Sequence, residues 1–132
     1  IGGLAGGTSA TTLLGEADIT AVFFEQEALS QGDTGTVVVI YNEQVDVTGN
    51  PTLAVTGSVT GAITATYARG TGSNRLEFDF TVPSQAEDLS IADQTISGTI
   101  EDKGTSVASE LAFAGKTVGA GGSGTDLTLT IA

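Results

Sequence analysis

The 132-residue chain contains no cysteine, histidine, tryptophan or methionine. Without cysteine, no disulfide supports the fold, and the redox compartment leaves no mark on the sequence. Without histidine and cysteine, Ser-His triads, thiol chemistry, His-based acid–base catalysis and the usual zinc sites are excluded. Basic residues are scarce as well: 4 against 16 acidic ones, a formal charge of -12. A surface of that sign repels phosphate backbones and anionic membranes, so no nucleic-acid partner is expected. No apolar run reaches membrane-spanning length, so no membrane insertion is expected either. The chain opens on Ile1 without a basic region and an apolar segment behind it. The expectation is a start removed by processing or trimmed, not an intact secretory signal.

What remains is a β-forming composition. Hydrophobic residues make up 39% of the chain and aromatics 5%, which predicts one core of Val, Ile and Leu with a few Phe. The 19 glycines and many threonines suit short strands joined by frequent turns. Residues 1–15, IGGLAGGTSATTLLG, read as an extended arm preceding a domain at 16–132. Glycine carries a high entropy cost on ordering, so the arm needs a surface to lie on. Its anchors would be Ile1, Leu4, Leu13 and Leu14, docking on a neighbouring subunit as an added strand.

From there the hydrophobic period is two. Residues 18–24 predict a strand with Ile19, Ala21 and Phe23 on one face and Val22 and Phe24 on the other. Residues 36–41, TVVVIY, give the clearest strand, with Val37, Val39 and Tyr41 opposite Val38 and Ile40. A turn and a short strand around Val45 and Val47 follow, and Pro51 belongs at a strand start or edge. Leu53 and Val55 alternate with polar neighbours, and Ile63, Ala65 and Tyr67 point inward. After a hairpin at 69–75, Leu76, Phe78, Phe80 and Val82 face in while Glu77 and Asp79 face water. A one-residue slip would bury both carboxylates, so this strand fixes its own register. An acidic connection at 84–93, anchored by Leu89 and Ile91, leads to a strand at 95–100. Residues 107–113, VASELAF, fit a strand or a helical turn, residues 118–125 are Gly-rich, and 126–131 close the chain as a strand. The expected class is all-β: an antiparallel sandwich of about seven to nine strands.

Three stretches carry a family resemblance: GDTGTVVVIYNEQVDVTGNPTLAV from Gly32, ATYARGTGSNRLEFDFTV from Ala65, and LSIADQTISGTIEDKG from Leu89. In that order they resemble the Ig-like repeats of large bacterial surface adhesins and cyanobacterial extracellular proteins. The resemblance covers a little over half the chain and implies an Ig-like sandwich used as a structural or adhesive module without catalysis. A single repeat with an added arm and a longer tail fits a subunit placed many times on a large assembly.

Few groups are left for chemistry. Glu77 and Asp79 share a strand face in the manner of a glycosidase pair, but a solvated face with no aromatic platform accounts for them better. The GAGGSG run at 119–124 lacks the helix and lysine of a phosphate loop and reads as a flexible connection. For calcium, Asp33, Asp46, Asp88, Asp93 and Asp102 are weak loop candidates, with Glu87 and Glu101 beside them, though no EF-hand spacing exists. No cofactor is expected. Arg69 and Arg75 flank the hairpin, able to meet an acidic neighbour or to remain solvated.

The leading expectation is an Ig-like subunit, not an enzyme, decorating or stabilising a particle surface such as a phage capsid. Its partners would be proteins of a repetitive, oligomeric assembly, on a virion or outside a cell. Alternatives are an extracellular adhesin or filament module, and a carbohydrate-binding domain.

Overall fold

The computed structural model describes residues 17–26, 28–92, 94–105, 107–113 and 129–131. Among these every regular element is a strand, as the period-two pattern requires: β1 (Ile19–Phe24), β2 (Ala28–Leu29), β3 (Thr34–Gly57), β4 (Gly61–Arg69), β5 (Ser73–Thr81), β6 (Glu87–Ser90), β7 (Ser97–Asp102) and β8 (Leu129–Ile131). All pairings are antiparallel except β2 with β8. The sheet runs β2-β8-β6-β3-β4-β5, with β1 and β7 also on β3. The arm anchors Ile1, Leu4, Leu13 and Leu14 and the run at 118–125 lie outside the described residues.

β3 holds the fold together. Its first part lies between β1 and β5, its middle meets β7, and its last part pairs with β4. Tyr41 and Val45 both drop into the core while Asn42, Glu43 and Gln44 between them are exposed. The chain therefore bends here without breaking, in place of the expected turn. The pairing with β7 shifts register between Thr48 and Thr52. Pro51, which has no N–H for a ladder, sits inside that irregularity and is buried.

The core gathers Val22 and Phe24 of β1, Val37, Val39 and Tyr41 of β3, Leu53 and Val55 further along it, and Leu76, Phe78 and Phe80 of β5. Two edge-to-face pairs brace it, Phe24 on Phe80 and Tyr67 on Phe78, at ring separations of 6.0 and 6.1 Å. Leu76, Phe78, Phe80 and Val82 face inward as their spacing predicts, and Leu89 and Ile91 anchor the connection before β7.

β1 departs from expectation. A bulge between Ile19 and Ala21 resets the alternation, so Val22 and Phe24 join Ile19 in the core while Ala21 and Phe23 turn outward. The strand expected at 95–100 is displaced to Ser97–Asp102. Residues 107–113 are extended beside it, joined by bridges Thr95–Ala112 and Glu101–Ala108, and Phe113 enters the core. That resolves VASELAF against the helical turn.

Candidate functional site

Both arginines of β4 and β5 are used within the chain. Arg69 reaches Glu77 at 2.5 Å and Asp79 at 2.8 Å, while Arg75 reaches Glu77 at 3.1 Å and Glu25 at 3.5 Å. The Arg75 guanidinium also lies 6.0 Å from the centre of the Phe23 ring. In register, Phe23, Val38 and Glu77 form one row across β1, β3 and β5. The charged side chains thus roof Val38, which is fully buried although it points away from the main core. Asp79 also accepts a hydrogen bond from the Thr36 hydroxyl at 2.9 Å. Glu77 and Asp79 do share a face, but Arg69 ties them together as a structural brace.

The calcium candidates are scattered. Asp33 caps a turn by accepting from the Ser30 amide, and Asp46 faces Glu101 across the β3–β7 ladder. Asp88 is exposed on β6, and Asp93 lies outside the described residues. Asp102 is buried and accepts from the amides of Gly104 and Thr105 and from the Thr105 hydroxyl, an Asx-type turn. Among the described residues no three acidic side chains are placed to hold a metal ion. An open depression of about 350 Å³ lies beside Glu43, Gln44, Asp102, Lys103 and Gly104. Desolvation, with Asp102 and Asp18 nearby, raises the Glu43 carboxyl above its ordinary range.

Glu87 has the opposite environment. Its carboxylate accepts from the Thr60 hydroxyl at 2.5 Å and from the amides of Val59 and Thr60, fixing the β3–β4 turn. The Thr60 hydroxyl and amide, with the Val59 amide, hold it below the ordinary glutamate range. Gly57 leaves the space that this carboxylate occupies.

The fourth arrangement lies just before β1. Ala17 is fully buried, and its carbonyl accepts from the Glu110 amide at 2.9 Å. Glu110 Oε1 in turn accepts from the Ile19 amide at 2.9 Å, and the Glu110 carbonyl accepts from the Tyr41 hydroxyl at 2.7 Å. Burial, reinforced by Glu110, pushes the Tyr41 hydroxyl far above its ordinary range, so it stays a donor. Asn42 closes the junction, giving its amide to the Asp18 carbonyl and accepting from the Asp18 amide, both at 2.9 Å. Sequence reasoning missed Glu110 and Asn42. The available signal was one carboxylate set among the apolar residues of VASELAF. Comparison with family models, curated proteins and solved structures gives no match.

Proposed function

We propose that this chain is a non-enzymatic structural subunit, an Ig-like domain carried in many copies on the surface of a large assembly such as a phage capsid and attached through residues 1–15. The observation that carries the reading is the clamp at Ala17. Glu110 and Asn42 hold Ala17, Asp18 and Ile19, the residues that follow the proposed arm, and Tyr41 holds Glu110. A clamp of that kind transmits attachment from a peptide to a domain. The ion network on β5 supports the same reading, because its carboxylates brace the sheet. The surplus of acidic residues keeps a crowded subunit soluble.

Antibody raised against the chain should label particles from the producing culture at regular spacing in electron micrographs. Diffuse labelling of soluble material would sink the reading. A form lacking residues 1–15 should leave the particle while keeping the thermal midpoint of the whole chain. Full attachment without the arm would rule out its role. A surface filament of the same subunits is the second reading, and the same micrographs separate the two.

A further inference from the structure

The second end of β3 and its neighbours carry an outer face built from small, uncharged side chains. Residues paired across an antiparallel ladder point to the same side of the sheet. Ser97, Thr52 and Thr66 therefore form one row across β7, β3 and β4. The rows beside it set Ala54 next to Thr64 and Thr56 next to Ala62. Thr52 is half-buried and the other residues of these rows are exposed, while Leu53, Val55 and Ala65 between them are buried. The Gln94 side chain takes both backbone groups of Ala54, accepting from its amide at 2.7 Å and donating to its carbonyl at 2.8 Å. What the patch presents outward is hydroxyls set among alanine methyls. Carboxylates stand at its margins. Asp79 continues the Thr52–Thr66 row onto β5, where Arg69 holds it, and Asp46 faces Glu101 further along the β3–β7 ladder.

Two properties of the face select a second copy as its occupant. A body of charge -12 repels its own copies, so they approach most readily where the facing side chains are uncharged. The face is also its own complement. A serine or threonine hydroxyl both donates and accepts, so a two-fold axis can set the array against itself with donors meeting acceptors. Ionised carboxylates only accept, and a carboxylate face lacks that option. Sheets commonly pack face to face, and small side chains bring them close.

We infer that the Ser/Thr face of β3, β4 and β7 pairs with the same face of a second copy about a two-fold axis. The inference rests on the assembly reading above and names a contact between neighbouring subunits. Strands lie about 4.8 Å apart, so a patch on three strands falls well below the roughly 800 Å² per partner of a tight complex. Free chains therefore pair weakly. Copies held side by side on one surface pair at a much higher effective concentration.

Sedimentation equilibrium of the full-length chain, followed up to about 1 mM, should show monomers in exchange with dimers. Thr64→Glu puts a carboxylate on the face and should weaken dimerisation at least tenfold, equal to about 1.4 kcal/mol. Because Thr64 is exposed, the thermal midpoint should stay close to that of wild type. Ser30→Glu adds the same charge in the turn before β3 and should dimerise as wild type does. The chain has no cysteine, which supplies a second readout. A short bifunctional thiol reagent should join copies carrying Ala54→Cys and leave copies carrying Ser30→Cys single. A chain that stays monomeric, wild-type dimerisation of Thr64→Glu, equal loss in both charge variants, or no cross-link at Ala54→Cys would each overturn the inference. Dimers that vanish when residues 1–15 are removed would assign the contact to the arm and overturn it as well. Regular labelling of particles by chains that are monomeric in solution removes this pairing and leaves the assembly reading. Diffuse labelling in the micrographs removes the assembly reading itself.

Discussion

The two ends of β3 belong to one strand and live in different surroundings. In the first, residues 35–39 are buried in succession, because β1 and β5 flank the strand and the Arg75–Glu77 roof covers its outer face. In the second, Leu53, Val55 and Gly57 are buried while Ala54 and Thr56 are exposed. An unbroken β-branched run therefore marks a stretch covered on both faces, and strict alternation marks one with a wet side.

The sharpest way to break this contrast is to remove Phe78, which faces Val37 across the ladder and is fully buried. Phe78→Ala should cost about 3–5 kcal/mol in a denaturant titration. A loss below about 1 kcal/mol would mean that the first end is not the centre of the core. Gly98 probes the second end. Its φ is +139°, and an added Cβ would lie 2.7 Å from the Pro51 Cα. Gly98→Ala should cost about 1–3 kcal/mol and disturb the amide signals of Pro51's neighbours in NMR spectra.

The two shifted glutamates sharpen the comparison through pH. Glu87 has its folded pKa lowered, so its contribution is present above the ordinary value of 4.5 and is lost as pH falls through the lowered one. Glu87→Gln should flatten that acid limb and lower stability at neutrality. Glu43 has its pKa raised, so its contribution is present below 4.5 and is lost as pH rises through the raised value. Glu43→Gln should therefore be more stable than wild type at neutrality. Denaturant midpoints from acid to neutral pH check both signs, and parallel curves for the two variants would contradict them. The smallest effect belongs to Ala54→Lys on the wet side of the second end, expected within about 0.5 kcal/mol of wild type.

Most strands were legible because alternation is a local signal. TVVVIY and LEFDFTV state their faces residue by residue, and the structure agrees. β1 was misread because one bulged residue inverts every later assignment, and nothing in DITAVFF announces the bulge. The bend of β3 was taken for a turn because exposed Asn42, Glu43 and Gln44 look alike in both cases. The clamp at Ala17 was out of reach for a different reason. Glu110 is 93 residues from Ala17 in sequence (110 − 17), and only the folded path of 107–113 beside β7 brings them together.

The clamp also decides how the fold bears load. Tension applied at Ala17 along the axis of β1 would reach the β1–β3 ladder at Asp18 and Ile19, where Asn42 and Tyr41 lie opposite. Pulled lengthwise, those rungs are strained together in shear, whereas a sideways pull would peel them one by one. With Glu110 adding a third attachment at the same spot, the junction works as a tether whose strength depends on direction.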